Sequence, residues 1–333
     1  MKRRISYKRI VKGGGVVILL FLVQCRPESN FEFSPLGEVV HPQDNPSSED
    51  KIELGKKLFF DSRLSSNQTI SCASCHIPKF AFTDRLPVSI GVGGGKTVRN
   101  SPSILNAGHL KTLMFDAHIK SLEEQVIVPI QEHVEMNISV GELVDRLKNI
   151  PEYQDAAKKI FNREFDAWVL TRSLACFERS LISDDSKFDQ YMYKQDHSVM
   201  SSSELNGWKI FSEKLYCTDC HPAPHFTNFL AENNGVYEDY GQDKGRFRIK
   251  GDTLDIGRFK VPSLRNVALT FPYMHDGSMK TLREVIEHYE VGGKSHFNKS
   301  NSIKPFTLTD SEKVDLENFL RSLSDTSYLD RLY

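Results

Sequence analysis

The chain has 333 residues, 43 Lys and Arg against 44 Asp and Glu, and a formal charge of −1, a length that suggests about two domains. Its 39% hydrophobic and 26% charged content, with 14 prolines, excludes a disordered chain, a collagen and a polytopic membrane protein. The near-neutral balance averages two unlike regions. Residues 1–24 hold Lys2, Arg3, Arg4, Lys8, Arg9 and Lys12 and no acid, which leaves 37 bases against 44 acids beyond them. An acidic remainder argues against a nucleic-acid partner, which would need a basic face.

The six bases precede an apolar run, Val16 to Val23, and then Cys25. A basic region before a short apolar run describes a secretory signal peptide over residues 1–24, too short to span a bilayer. Leu22-Val23-Gln24-Cys25 looks like a lipoprotein signal with Cys25 as the lipidated residue, although Gln24 replaces the usual small residue. An uncleaved signal anchor is the alternative. Either exports the chain, so the expected location is the periplasm, with lipid at Cys25 tying it to a membrane. Residues 25–47, with Pro27, Pro35, Pro42 and Pro46, read as a tether.

Beyond residue 48 the apolar spacing is helical almost throughout, and an all-α fold is expected. Val88 to Val92 is too short for a strand and ends in Gly93-Gly94-Gly95. Ser139 to Ile150 puts Val140, Leu143, Val144 and Leu147 on one face, opens with the capping box Ser139/Glu142 and stops at Pro151. Asp166 to Ile182 aligns Leu170, Leu174, Phe177 and Leu181; Ser203 to Leu215 aligns Leu205, Trp208 and Phe211. Thr281/Glu284 and Thr309/Glu312 are further capping boxes, ahead of Leu282, Val285, Ile286 and of Val314, Phe319, Leu320.

One internal repeat stands out: Cys72-Ala73-Ser74-Cys75-His76 and Cys217-Thr218-Asp219-Cys220-His221, 145 residues apart. Two thiols at C-x-x-C spacing can add to both vinyl groups of a haem, and the adjacent His then reaches the iron. A thioredoxin-like dithiol needs a βαβ setting that the pattern lacks, and a structural Cys₄ zinc site would leave both histidines unexplained. Two covalent haem c groups are the reading, in line with export. Cys176, between Leu174 and Phe177 in helical register, reads as core.

At this point the chain resembles the bacterial dihaem cytochrome c peroxidase and MauG family over nearly all of residues 48–333. The matching segments are LGKKLFFDSRLS (54–65), AFTD (81–84), RNSPSILNAG (99–108), SLEEQ (121–125), HVEM (133–136), KVPSLRNVALTFPYMHDG (260–277) and HYEVGG (288–293). The resemblance implies two cytochrome-c-like domains, each around one haem: residues 48–190 with the peroxidatic haem and 191–333 with the electron-transfer haem. It implies hydrogen peroxide as substrate and a small cytochrome c or cupredoxin as electron donor, and a homodimer is among the assemblies it allows.

Residue by residue, the resemblance makes His76 and His221 the haem-iron ligands and Gln125 and Glu135 the peroxidatic pair; without it Glu135 would pass for a solvated helix end. A buried carboxylate can take a proton from the bound oxygen and return it to the departing one. Many such peroxidases block the first haem with a His sixteen residues past the motif; Val92 stands there, leaving that haem open unless His109, His118 or His133 substitutes. Tyr289 falls fourteen residues after His275, where electron-accepting members carry Met and MauG-like members carry Tyr, and it lies on the apolar face of its helix; Met274 and Met279 are rivals. Phe115 replaces the usual Trp between the haems, and Leu215 takes the Trp position of MauG, with Tyr216 one residue off. Asn100, Thr270 and Pro272 match the ligands of one calcium ion, the last two through backbone carbonyls, and oxygen-only ligation suits Ca²⁺. A MauG-like oxidase acting on a protein or other substrate is the second reading, and a dihaem electron carrier without catalysis the third.

Overall fold

The computed structural model describes residues 34–332. The expected signal peptide and Cys25 lie outside the described residues.

Caps set the helix starts. Ser48 accepts from the Lys51 amide and opens α1 (Glu49–Phe59); Asp166 accepts from Val169 and opens α2 (Ala167–Ser180). Ser201 and Glu204 form a reciprocal box on α3 (Ser202–Lys209), two residues before the start suggested by apolar spacing. Thr281 opens α4 (Leu282–Glu290), and Thr309 with Glu312 opens α5 (Asp310–Ser322). At Thr281 Glu284 departs from a box, because its carboxylate takes the Lys280 amide instead. The Ser139/Glu142 box forms as expected over Val140–Leu147. Pro151 does more than stop that segment: it occupies the first turn of the helix Pro151–Phe161, where its missing N–H costs nothing. Among the described residues the named strands are β1 (Ala231–Glu232) and β2 (Phe259–Lys260), antiparallel with Ala231 opposite Lys260 and too short to show alternation in sequence.

The same helix packing occurs twice. Gly55 lets α1 close onto α2, since a Cβ there would lie 2.0 Å from the Ser173 carbonyl oxygen; Gly207 does the same for α3 on α5, 2.0 Å from the Asp315 oxygen. Phe59 then meets Phe177 at 5.0 Å between ring centres, and Phe211 meets Phe319 at 5.0 Å. Each pair anchors its own apolar cluster. Fully burying one such ring stabilises the fold by roughly 1.5–3 kcal/mol.

A longer repeat, which the reading of the sequence missed, links residues 100–125 to 260–285. Asn106 and Asn266 are both left-handed (φ 59° and 60°), as are Met114 and Met274 (62° and 75°) and Ala117 and Gly277 (53° and 67°). Isolated bridges Leu113–Ile119 and Tyr273–Met279 recur at the same offset. Asn106 N–H bonds the Leu181 carbonyl and Asn266 N–H the Leu323 carbonyl, while their side-chain oxygens accept from Ser183 and Asp325 amides, each at 2.8 Å. The two halves join where Asn266 Nδ2 donates to Ser183 Oγ at 2.8 Å and where Arg265 grips Asp189 with two buried 2.8 Å bonds. The end of the chain returns to the first half, with the Tyr328 hydroxyl donating to the Pro78 carbonyl at 2.9 Å.

Residues 34–47, expected as part of a tether, are docked on the body instead. Asn45 is fully buried, donating to Glu123 Oε1 at 2.7 Å and to the Arg172 carbonyl at 3.1 Å. Leu36 is buried too, and Val39 packs on Gly108.

Candidate active site

Both C-x-x-C-H segments adopt a single helical turn that closes on the histidine: His76 N–H bonds the Cys72 carbonyl and His221 N–H the Cys217 carbonyl, each at 2.9 Å. Each chain then turns back so that a left-handed phenylalanine, Phe82 (φ 57°) or Phe226 (φ 52°), offers its carbonyl to the ring. His76 Nδ1 lies 3.0 Å from the Phe82 oxygen and His221 Nδ1 2.9 Å from the Phe226 oxygen. A carbonyl fixes Nδ1 as the protonated nitrogen, which leaves the Nε2 lone pair for a metal. Burial lowers both imidazole pKa values, His221 to about 4, so the rings are neutral and ready to ligate. Burial also pushes the thiols up, Cys75 to about 11 and Cys217 to about 12. Two unpaired thiols and an adjacent neutral imidazole form a donor set that fits a covalent haem at each motif.

Glu135 faces the first motif. Its charge acts on the Cys72 and Cys75 thiols, and burial, with a smaller push from Glu132, raises its carboxyl to about 7. Its backbone is clamped from behind: Val92 N–H donates to the Glu135 carbonyl at 2.9 Å, and Gly91 packs without a side chain against Val134 and Glu135. Thus the Val92 segment serves as a backrest for Glu135. Gln125 ends the turn Leu122–Gln125 and points Nε2 at Met114 Sδ, 3.9 Å away. The three histidines considered as substitutes have contacts elsewhere: His109 lies against His225, His118 beside Asp116, and His133 on the surface with Asn137.

At the second motif Tyr289 comes inward on α4 as its spacing implies. Burial raises its phenol pKa, the Asn234 hydrogen bond opposes this, and the Cys220 and Cys217 thiols add to it, which places the ring beside that motif. Asn234, absent from the sequence reading, donates from Nδ2 to Tyr289 Oη at 3.2 Å and to Met274 Sδ at 3.4 Å. Its sequence signal, Asn233-Asn234-Gly235, is that of any turn. Met274 corresponds to Met114 in the longer repeat, so each half sets an amide on an equivalent sulfur. Met279 pairs through its backbone with Tyr273.

Asn100, Thr270 and Pro272 come from segments that touch. Asn100 N–H donates to the His275 carbonyl at 2.8 Å, and its Nδ2 donates to the Leu86 carbonyl at 2.7 Å, which leaves Oδ1 as the free donor atom. Next to them, Asp116 is fully buried; burial alone would raise its carboxyl pKa, but Arg248 and Arg99 hold it below the ordinary range, and Arg99 reaches on to Asp243 at 2.7 Å. The Phe115 carbonyl accepts from Lys260 N–H at 2.6 Å, whereas Tyr216 is largely exposed and Leu215 packs on the second core.

A family model described as di-haem cytochrome c peroxidase matches residues 49–197. Over 300 residues the chain is 35% identical to the methylamine utilization protein MauG of Methylorubrum extorquens, covering 90% of this chain and 82% of that protein. It is 34% identical to cytochrome c551 peroxidase of Pseudomonas aeruginosa, covering 88% of this chain and 84% of that one. A solved MauG-like protein associated with microbial copper homeostasis aligns with a TM-score of 0.84 at 35% identity, over 90% of this chain and 97% of that one. With both motifs built for the same ligand and relatives matched along most of its length, the chain belongs to the dihaem cytochrome c peroxidase and MauG family and is a peroxidase-type oxidoreductase.

Proposed function

We propose that this is an exported, periplasm-facing peroxidase with two cytochrome-c-like domains, reducing hydrogen peroxide at the first motif with electrons that enter through the second. Cys72 and Cys75 with His76 would hold one haem c, and Cys217 and Cys220 with His221 and Tyr289 the other. A haem held at the first motif would supply the redox-active iron for peroxide reduction. The protein supplies the proton traffic: the Glu135 carboxylate takes the proton of the incoming peroxide and returns it to the departing oxygen, while Gln125 orients the peroxide without adding charge. Asn100 Oδ1 with the Thr270 and Pro272 carbonyls suits one calcium ion, a neutral-oxygen set of the kind a hard cation takes. A small cytochrome c or cupredoxin is the donor, and lipid at Cys25 is the proposed membrane tie.

The observation that carries this reading is Glu135, a carboxyl raised to about 7 beside the first thiol pair. Glu135→Gln should slow peroxide turnover by at least the ~10²-fold of a lost acid–base group, with both haems still attached. Unchanged turnover would remove Glu135 from the chemistry.

Tyr289 favours the second reading, a MauG-like oxidase that draws electrons from a protein or other substrate, because an anionic oxygen ligand stabilises oxidised iron. Phe115 and Leu215 weaken it, since neither supplies the easily oxidised ring of a Trp. A Met–haem charge-transfer band in the oxidised protein would replace Tyr289 by Met274 as ligand.

A further inference from the structure

Each half ties the start of one helical turn to a long helix through charged side chains. In the first half Ser121 caps the turn Leu122–Gln125, and Glu123 takes two bonds from Arg179 of α2, at 2.6 and 2.7 Å. In the longer repeat Ser121 corresponds to Thr281, the cap of α4, and Glu123 to Arg283, each pair 160 residues apart. Arg283 pairs with Glu317 of α5 at 2.7 Å. The close crossings at Gly55 and Gly207 match Ser173 with Asp315 and Phe177 with Phe319, so Arg179 answers to Arg321, which lies 4.0 Å from Glu317. The same turn is thus pinned to the same helix in both halves.

What differs is access to water. The Arg283 and Arg321 side chains are 30% and 59% exposed, whereas those of Arg179 and Glu123 are 5% and 8% exposed. The Arg179 pair is covered by residues 34–47. Asn45 Nδ2 donates to Glu123 Oε1 at 2.7 Å and to the Arg172 carbonyl at 3.1 Å, and its Oδ1 accepts from Lys51 Nζ and from the Cys176 thiol, each at 3.4 Å. Val39 packs on Gly108, where Arg179 Cγ also closes. An exposed pair is screened and leaves its side chains mobile; a pair out of water, with both carboxylate oxygens bonded, admits one geometry. The sealed turn is the one that ends in Gln125, whose counterpart in the other half is Val285. Gln125 Nε2 has a long 3.9 Å contact with Met114 Sδ, so the turn beneath it decides where the amide points.

We propose that Asn45 is a positioning residue of the peroxidatic site: it seals the Glu123–Arg179 pair from water, and the sealed pair fixes the turn that presents Gln125 to the peroxide. The inference rests on the proposed role of Gln125 at the first haem. Residues 34–47 are then a working part of that site, although they precede α1. The turn that opens α4 has Val285 in place of Gln125, no group that must meet a substrate, and does without such a cover.

The test is the rate constant for peroxide reacting with the fully oxidised, haem-loaded protein, in the wild type, Asn45→Ala, Gln125→Ala, their double variant and Asp44→Ala, each first assayed for haem content. Asn45→Ala should slow the reaction by about tenfold or more, as a misplaced catalytic group does. The double variant should be no slower than Gln125→Ala alone, because Asn45 acts through Gln125. Asp44→Ala removes only the neighbouring ion pair with Arg172, at 2.8 Å, and should react like the wild type. In Asn45→Ala the pH limb set by Glu135 and the spectrum of the second haem should stay in place. A wild-type rate in Asn45→Ala, an additive loss in the double variant, an equal loss in Asp44→Ala or a displaced pH limb would each overturn the proposal. A wild-type rate in Gln125→Ala would instead overturn the reading beneath it. Should Asn45→Ala fail to fold, Val39→Ala, which loosens the same segment on Gly108, carries the same cycle.

Discussion

Replacing Gly91 with alanine tests whether the Val92 segment positions Glu135. Gly91 has φ −99°, so alanine meets no backbone obstacle; the obstacle is space. Its Cβ would lie 2.1 Å from the Val134 oxygen, 2.6 Å from the Glu135 oxygen and 2.7 Å from Glu135 Cα. Carbon–oxygen contacts settle near ~3.3 Å, so the two segments must part by about 1 Å. Parting them breaks the 2.9 Å bond from Val92 N–H to the Glu135 carbonyl. The lost bond is worth about 1 kcal/mol and the overpacking about 1–3 kcal/mol, so denaturant unfolding should show a loss of roughly 2–4 kcal/mol. Displacing a catalytic group by ~1 Å costs on the order of 10²-fold in rate, which steady-state peroxide turnover will read. Gly94→Ala is the control: at φ +80° it is strained, but no atom lies within 4 Å of its Cβ. That strain costs about 1–2 kcal/mol and leaves Glu135 in place. Wild-type turnover in Gly91→Ala, or an equal loss of turnover in Gly94→Ala, would refute the reasoning.

Glu135, raised by burial to about 7, must be ionised to accept a proton. Peroxide turnover should therefore fall about tenfold per pH unit below that value and level off above it, a profile that Glu135→Gln flattens; a limb centred near the ordinary carboxylate range would contradict the assignment. Because Val92 has no lone pair to offer, the first haem of the fully oxidised protein should give a high-spin EPR signal, and a low-spin bis-histidine signal there would contradict this. Asp189→Ala strands the Arg265 guanidinium, whose side chain is only 4% exposed, so thermal or urea unfolding should show a loss of about 3–5 kcal/mol. A loss under 1 kcal/mol would mean that water reaches the pair.

The helical body was legible because its signals are local. Ser139/Glu142 and Thr309/Glu312 cap where their spacing says, and the two C-x-x-C-H motifs need only five residues each. The inward turn of the Tyr289 side chain was legible through helical periodicity. The docking of residues 34–47 was not, because it depends on Asn45 finding Glu123 and the Arg172 carbonyl far along the chain. The longer repeat stayed hidden because its shared residues, such as Asn106 and Asn266, Met114 and Met274, Asp116 and Asp276, are scattered, while left-handed positions between them are filled by Ala117 in one half and Gly277 in the other and Phe115 answers to His275. Asn234 was illegible for a third reason. It is an ordinary residue made particular by Tyr289 and Met274, which reach it only through the fold.

The most direct measurement adds one equivalent of hydrogen peroxide to the fully oxidised, haem-loaded protein, follows the haem spectrum, and then offers a reduced small cytochrome c. The account predicts a prompt reaction with peroxide, followed by rapid oxidation of the cytochrome as the spectrum returns to its starting form. A protein that ignores peroxide, or one that reacts and then persists without oxidising the cytochrome, would contradict it.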